Sequence, residues 1–356
     1  MMKLAVVIPC LNEELTLGAV LEAVPQEISG IDEVLSLVVD DGCSDRSADV
    51  AVEHGARVVS HGTTRGVGCA FRTGLESALA WGADIVVNID GDGQMDPEDI
   101  PALISPILEG RADFVTASRF AEGQPCPEIP ALKRWGNRRI ARLISRLTGQ
   151  TFHDVSCGFR AYSRETALNL NLLGKFTYTH ETFLDLAYKG LRILEVPVPI
   201  RGTRQFGKSR VAGSLLRYAL QTSKIILKTY RDYRPFRFFG SVAAGLLSVS
   251  FFLLSFFLAH YWRTGAFSGH LWAGFTGGAL GAAGLLFLVV AIVTDMLDRV
   301  RLNQERILYY LKKGALDGRP VRSTGVAARG GMPRLVGSPD RVAPAAEPGC
   351  RQRQGP

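Results

Sequence analysis

The chain has 356 residues, of which 47% are hydrophobic and 21% charged, a balance typical of a folded protein. The formal charge of +7 and the pI of about 9.2 favour an anionic partner, either nucleic acid or a membrane surface. The sequence contains no helix-turn-helix, zinc-finger or RNP pattern, so we expect no nucleic-acid partner and assign the charge to a membrane surface. The six cysteines include no C-x-x-C pair, which argues against a disulfide framework and a zinc site.

The first predicted elements are a buried strand and a helix. Residues 4–8 are apolar and mostly β-branched, and Pro9 is predicted to end this strand. Asn12 is predicted to cap a helix that carries Glu13 and Glu14 in its first turn.

Strands and helices alternate over the next hundred residues. Strands are predicted at 37–39, 57–59, 85–87 and 114–116, and helices at 66–81 and 98–109. This β-α-β-α order predicts a mostly parallel sheet with helices on both faces. In such sheets ligands bind at the carboxyl ends of the strands, so the residues that follow each strand are the candidates for chemistry.

Two uncharged apolar segments, 238–259 and 271–294, are each long enough to cross a bilayer, which takes about 20 residues. Arg263 is the only Lys or Arg between them, whereas their outer ends are flanked by Arg231, Arg234, Arg237, Arg299, Arg301 and Arg306. The positive-inside rule therefore predicts a membrane hairpin with both ends in the cytoplasm. The alternative is a pair of buried core helices.

Residues 214–233 form an amphipathic pattern in which Arg217, Lys224, Lys228 and Arg231 share one helical face. This pattern is typical of a helix that lies on the cytoplasmic leaflet, and the alternative is a helix packed on the domain with a solvated basic face. The chain after Gly314 has few apolar side chains and is predicted to be disordered.

The sequence N-I-D-G-D-G-Q directly follows the strand predicted at 85–87. Asp90 and Asp92, one residue apart at a strand end, present the oxygen ligands that Mg²⁺ or Mn²⁺ prefers. A metal there can neutralise the charge that develops on a departing nucleoside diphosphate. Alone, an Asp-x-Asp is weak support for function, because many such pairs are turn residues.

The strand predicted at 37–39 ends in D-D-G-C-S-D. Asp40 is predicted to face the same crevice and to accept hydrogen bonds from a base or ribose. Ser44 is expected to cap the next helix, which is also an alternative role for Asp41. The first turn, P-C-L-N-E-E, lacks the G-x-G-x-x-G of dinucleotide-binding folds, which argues against a dehydrogenase.

The ordered set V-I-P-C-L-N-E-E, V-V-D-D-G-C-S-D, D-G-D-G-Q and S-C-G-F-R resembles family 2 glycosyltransferases. With A-S-R-F, R-Q-F-G-K-S-R and the apolar hairpin, the chain most resembles the polyprenyl-phosphate (dolichyl-phosphate) mannose and glucose synthases. The resemblance implies a nucleotide-sugar pocket of Pro9, Leu11, Glu13, Val38, Asp40, Asp90, Gly91, Asp92 and Arg210. It also implies Asp90, Asp92 and Gln94 as ligands of Mg²⁺ or Mn²⁺, and catalytic roles for Asp92, Arg119 and Arg204.

The same resemblance implies that Arg119, Arg134 and Arg138 bind the lipid phosphate. Arg134 and Arg138 have independent support, because a phosphate acceptor needs forked, permanent cations. The alternative for these two is a solvated basic helix face. Asp154, in the D-x-x-x-G-F-R segment, is expected to be buried beside the pocket, and His180 and Glu181 are expected to be scaffold residues.

The predicted fold is α/β of the GT-A type, followed by two transmembrane helices. The expected divisions are a catalytic domain (1–210), an interfacial helix (211–235), a hairpin (236–297), a cytoplasmic amphipathic segment (298–314) and a basic tail (315–356). The catalytic domain and both termini are expected to be cytoplasmic, and a homo-oligomer is left open.

The predicted reaction moves a hexosyl group from a nucleotide sugar to a polyprenyl phosphate with inversion, with GDP-mannose favoured over UDP-glucose. Two other classes of protein fit the sequence less well. A processive polysaccharide synthase has a Q-x-x-R-W motif, which this sequence lacks, and a non-catalytic membrane scaffold does not need Asp90, Asp92 and Gln94 in register.

Overall fold

A seven-stranded sheet is the framework of the computed structural model, which describes residues 1–120, 131–171, 179–200, 215–267 and 269–316. The strands are β1 (Lys3–Cys10), β2 (Glu33–Asp40), β3 (Arg57–Ser60), β4 (Ile85–Asn88), β5 (Phe114–Ser118), β6 (Arg160–Ser163) and β7 (Ile193–Pro197). The helices are α1 (Leu17–Glu22), α2 (Ser47–Glu53), α3 (Val67–Trp81), α4 (Ile100–Leu108), α5 (Ala131–Thr148), α6 (Arg164–Asn169), α7 (Thr179–Tyr188), α8 (Leu215–Tyr233), α9 (Pro235–Thr264) and α10 (Leu271–Leu316).

The strand order is β3-β2-β1-β4-β6-β5-β7, and every neighbouring pair is parallel except those that include β6. Side chains alternate between two cores, so that Val6 joins the core on one face and Val7 the core on the other. Helices α1, α2 and α4 cover the first face, whereas α3, α5, α6 and α7 cover the second. The predicted mostly parallel, two-faced α/β sheet is confirmed.

Two local predictions at the end of β1 are wrong. The strand continues through Pro9, which pairs in register with Val39. Val7 forms its hydrogen bonds on the β4 side of β1, and Pro9, two residues later in the strand, faces the same side. Because β4 has already ended there, the absence of an N–H on Pro9 leaves no hydrogen bond of the sheet unformed. Asn12 does not cap a helix: it adopts φ 52°, its side chain bonds to Ser44, and α1 begins only at Leu17.

Strand β6 does not follow from the apolar pattern of the sequence, because it is short and begins with the buried Arg160. The Arg160 guanidinium donates to the carbonyl oxygens of Cys157 (2.7 Å), Thr179 (3.0 Å) and Val155 (3.3 Å). It also lies 5.0 Å from the Phe183 ring centroid. These bonds join Arg160 to the segment before β6 and to the start of α7, and they explain how a buried charge is tolerated there.

Helices α9 and α10 pack against each other and expose most of their apolar surface. Only 11% of the most hydrophobic window of each helix is buried, and Phe251, Phe252 and Phe275 are more than 70% exposed. Their shared face is tight: Ser250 donates to the Gly277 carbonyl at 2.7 Å, and a Cβ on Gly284 would lie 2.8 Å from a Leu247 side-chain carbon. Both helices are long and apolar enough to cross a membrane, and the alternative of buried core helices is wrong.

Helix α10 continues beyond its apolar part and contacts the α/β domain, with which it belongs to one compact unit. Lys313 pairs with Glu165 of α6 at 2.7 Å, and Lys312 donates to the Asn171 side chain at 3.0 Å. Helix α8 also packs on the domain: Ile226 is buried in the second core, whereas Lys224 and Lys228 are exposed. Thus α8 combines a packed apolar face with an outward basic face.

Candidate active site

The loop after β4 carries the two predicted metal-binding carboxylates at the carboxyl edge of the sheet. The Thr16 hydroxyl donates to the Gly91 carbonyl at 2.7 Å, which fixes this loop against the start of α1. Asp92 is 3% exposed, and its Oδ1 accepts from the Gln94 amide at 3.1 Å. The sheet edge therefore presents a largely buried carboxylate whose position is set by backbone contacts.

The S-C-G-F-R segment lies against Asp90. A Cβ on Gly158 would be 2.9 Å from Asp90 Oδ2, so only glycine fits without moving the carboxylate. Asn88, the last residue of β4, donates to the Gly158 carbonyl at 2.9 Å, and the Phe159 carbonyl accepts from Ala117 of β5. These bonds hold the carboxyl ends of β4 and β5 together around Asp90.

Asp40, at the end of β2, is 8% exposed and accepts from the Cys43 amide at 2.7 Å and the Ser60 hydroxyl at 2.6 Å. Burial acts to raise the pKa of Asp40, but the Ser60 and backbone hydrogen bonds outweigh it and hold the pKa below its usual range. The carboxylate is therefore ionised near pH 7 and ready to accept further hydrogen bonds.

The residues beside Asp40 hold the surrounding loops. Asp41 accepts from His61 and from the Arg65 and Gly66 amides at 2.8–2.9 Å, which fixes the loop before α3. That loop passes so close to Gly42 that a Cβ would lie 2.7 Å from its backbone, and Gly42 has φ +80°. The helix-capping role expected of Ser44 is wrong, because Asp45 binds the Ser47 amide at the start of α2.

Arg119 forms a forked ion pair with Asp154. Its Nε and Nη2 atoms lie 2.6 and 2.9 Å from the two carboxylate oxygens, and Nη2 also donates to Ser156 at 2.6 Å. Asp154 is fully buried, as expected. Burial acts to raise the pKa of Asp154, but the charge and hydrogen bonds of Arg119 hold it below its usual range. The Nε and Nη2 atoms of Arg119 thus already form hydrogen bonds within the protein.

Other sequence candidates lie close to these loops or in the core. Pro9, near the end of β1, and Leu11 and Glu13, in the turn that follows, are partly exposed. This stretch contacts both aspartate loops. The Val38 side chain is fully buried in the core, so only its backbone could meet a ligand. His180 is also fully buried, and burial lowers its pKa to about 3, which agrees with a scaffold role.

A basic cavity of about 450 Å³ lies beside the Arg119–Asp154 pair. It is lined by Phe120, His153 and four arginines of α5 spaced four residues apart: Arg134, Arg138, Arg142 and Arg146. Phe120 follows Arg119 directly, and His153 precedes Asp154, so the cavity adjoins the pair. In the described part of the chain, Arg138, Arg142 and Arg146 form no ion pair. Arg204 and Arg210 lie outside the described residues.

Comparison with known proteins identifies the family of this chain. Residues 5–169 match the sequence model of glycosyl transferase family 2. The dolichyl-phosphate hexose transferase of Haloferax volcanii is 34% identical over 198 residues, which cover 56% of this chain and 82% of that relative. The polyprenol monophosphomannose synthase of Mycolicibacterium smegmatis is 32% identical over 235 residues, 60% of this chain and 83% of the relative. The chain belongs to glycosyl transferase family 2.

A solved structure agrees with the GT-A fold predicted for this family 2 glycosyltransferase. Glucosyl-3-phosphoglycerate synthase from Mycobacterium tuberculosis, in complex with Mn²⁺, UDP-glucose and phosphoglyceric acid, superposes with a TM-score of 0.51 at 25% identity. The match covers 64% of this chain and 80% of that one. The predicted fold is confirmed.

The donor atoms of the family 2 site suit a hard divalent cation. Asp90, Asp92 and Gln94 offer carboxylate and amide oxygens on one short loop, which is the ligand chemistry of Mg²⁺ and Mn²⁺. Across the described ranges, no three His, Cys, Asp or Glu side chains come together as a metal-binding group.

Sequence reasoning missed several residues that position this edge. Thr16 holds the Gly91 carbonyl, Ser60 holds Asp40, and Asn88 holds Gly158. Ser60 and Asn88 are the last residues of β3 and β4, so the strand-end rule that selected Asp40 could have found them. Thr16 gave no signal, because its role depends on a contact with a residue 75 positions away.

Proposed function

We propose that this family 2 glycosyltransferase transfers a hexosyl group from a nucleotide sugar to a polyprenyl phosphate. The observation that carries the proposal is the cavity lined by four arginines beside Arg119, at the same sheet edge as Asp90 and Asp92. A carboxylate edge suits a metal-bound diphosphate, and an adjoining arginine surface suits a second phosphate. The two apolar helices provide the membrane attachment that a polyprenyl acceptor requires.

The donor is proposed to bind across the loops after β1, β2 and β4. Asp40 accepts hydrogen bonds from the nucleoside, and Asp90, Asp92 and Gln94 would hold Mg²⁺ or Mn²⁺ beside the diphosphate. The metal, when bound, neutralises the charge that develops on the leaving diphosphate. GDP-mannose is favoured because the mycobacterial relative is named for mannose, and UDP-glucose is the second candidate because the solved neighbour binds it.

The acceptor is proposed to present its phosphate to Arg119, Arg134 and Arg138. A phosphate monoester has a second pKa of about 6, so its oxygen is already anionic near pH 7 and needs no strong general base. The protein then acts by orienting the two substrates and by stabilising charge with its arginines. Attack of the phosphate oxygen on the anomeric carbon breaks the bond to the nucleoside diphosphate and inverts the anomer, so an α-linked donor gives a β-linked lipid.

The acceptor assignment is tested by Arg134→Lys, which keeps the charge but loses the guanidinium fork. We expect the apparent KM for polyprenyl phosphate to rise at least about tenfold, while nucleotide binding without lipid stays unchanged. Arg139→Lys is the matched control, because Arg139 is exposed and stacks on Trp135 at 5.1 Å on the same helix, outside the cavity. Equal lipid kinetics in the two variants would place the acceptor elsewhere, with Arg204 and Arg210 tested next.

We also propose a topology for the membrane hairpin. The Lys and Arg bias around α9 and α10 supports an orientation with the catalytic domain and both termini in the cytoplasm and the 265–270 connection on the opposite side. The exposed basic face of α8, including Lys224 and Lys228, is then proposed to meet the anionic headgroups of the cytoplasmic leaflet.

A further inference from the structure

A second cavity lies where α8, the start of α9 and the charged half of α10 meet the catalytic domain. Its volume is about 550 Å³, within the range of small-molecule sites. Tyr188, Tyr233, Arg234, Arg301 and Arg306 line it, and none of them belongs to the active-site edge.

One wall of this cavity is a stack of alternating aromatic and guanidinium groups. The Arg301 guanidinium lies 3.9 Å from the Tyr233 ring centroid, and Tyr233 stacks on Tyr188 at 5.0 Å. The Arg234 guanidinium follows at 5.6 Å from the Tyr188 centroid. The Tyr233 hydroxyl also donates to the buried Asp185. The wall is therefore a built surface whose aromatic rings cannot easily move aside.

The ion pairs around the cavity, among the described residues, do not include two of its arginines. Lys189 pairs with Asp185 at 2.8 Å and lies 3.5 Å from Glu305, and Arg301 pairs with Asp298 at 2.8 Å. Within the described ranges, neither Arg234 nor Arg306 has an ion-pair partner. Both line the cavity, which therefore offers two guanidinium groups to an anion.

The cavity begins close to the end of the apolar part of α10. Asp298, which lines it, is four residues after Thr294, or about 6 Å along a helix that rises about 1.5 Å per residue. The headgroup layer of a bilayer is roughly 5–8 Å thick on each side. The end of the cavity that Asp298 lines thus lies at the depth of the lipid headgroups when α9 and α10 cross the membrane.

We propose that this cavity binds the phosphate headgroup of an anionic glycerophospholipid from the leaflet next to the catalytic domain. Arg234 and Arg306 contact the phosphate, and the tyrosines pack beside the glycerol, as aromatic residues do at membrane interfaces. Because the lipid touches α8, α9 and α10 together, it ties the membrane hairpin to the catalytic domain. The proposal is independent of the sugar chemistry.

The test compares two double variants of the full-length protein that remove the same net charge. Arg234→Gln with Arg306→Gln removes the two cavity arginines to which no ion-pair partner is assigned, whereas Arg237→Gln with Arg299→Gln removes exposed arginines that do not line the cavity. Native mass spectrometry of detergent-purified protein measures the retention of phosphatidylglycerol against phosphatidylcholine. We expect the cavity variant to lose at least about tenfold in phosphatidylglycerol affinity and the control to change by less than about twofold.

Equal losses in the two variants would overturn the site in favour of diffuse surface attraction. Displacement of phosphatidylglycerol by millimolar inorganic phosphate would overturn the lipid assignment, because the site would then take free phosphate. Should the cavity double variant fail to fold, Arg306→Gln alone serves, since Arg306 is exposed on the surface of α10. A loss of less than about threefold in that variant, relative to Arg299→Gln, would also overturn the proposal.

Discussion

The Arg119–Asp154 pair gives the sharpest stability prediction. Asp154→Asn keeps the shape of the side chain but removes the negative charge that pairs with the Arg119 guanidinium, which is only 15% exposed. Removing one partner of a buried ion pair costs about 3–5 kcal/mol in the free energy of unfolding. With a urea m-value of about 3 kcal/mol/M, the midpoint of unfolding should fall by about 1 M or more.

The pH dependence of this effect has a defined sign. The pKa of Asp154 is lowered in the folded state, so its contribution to stability is fully present above the unfolded pKa of about 3.9. That contribution is lost as the pH falls through the depressed folded pKa. The gap in unfolding midpoint between wild type and Asp154→Asn should therefore be constant from pH 7 to about 5 and narrow below about pH 4.

The assay is urea unfolding of the detergent-solubilised full-length chain, followed by tryptophan fluorescence. Glu109→Gln is the control, because it breaks a pair with Arg111 in which both side chains are about half exposed. Its midpoint should stay at the wild-type value. If Asp154→Asn and Glu109→Gln unfold at the same urea concentration, the ion pair does not support the fold as argued.

Three further predictions follow from close contacts and from topology. Gly158→Ala should displace the Asp90 carboxylate and lower kcat/KM at least about tenfold in initial-rate assays. Gly284→Ala should overpack the face between α9 and α10 and cost about 1–3 kcal/mol in thermal unfolding. Gly278→Ala is the control for both variants: nothing lies within 4 Å of the added Cβ, so neither kcat/KM nor the stability to thermal unfolding should fall. A cysteine at Phe267 should react with an impermeant thiol reagent only from the side opposite the catalytic domain.

Much of the active-site edge could be predicted because it follows from a general rule about parallel sheets. Asp40, Asp90 and Asp92 each follow a readable apolar strand, and the structure places their loops side by side through contacts with the turn after β1. The sequence pattern also identified the two apolar helices, because an uncharged apolar segment of about 20 residues has the length and composition of a membrane-spanning helix.

The parts that sequence patterns missed depend on contacts between distant residues. Strand β6 carries the buried Arg160, and a charged residue at a buried position interrupts the apolar pattern by which strands are predicted. The engagement of Arg119 by Asp154 joins residues 35 positions apart, and the left-handed backbone of Asn12 is stabilised by Ser44 across another loop. The docking of α10 on α6 through Lys313 and Glu165 is a similar case. Local periodicity carries no information about such pairs.

Sugar transfer to a polyprenyl phosphate is tested most directly by detecting the glycolipid product. Purified full-length protein is supplied with radiolabelled GDP-mannose or UDP-glucose, Mg²⁺ or Mn²⁺, and undecaprenyl or dolichyl phosphate. We predict label in an organic-extractable glycolipid with one of these donors, dependent on the lipid and lost with chelator. Asp92→Ala should lower this rate at least about a hundredfold. No labelled lipid from either donor, or an undiminished rate in Asp92→Ala, would contradict the account.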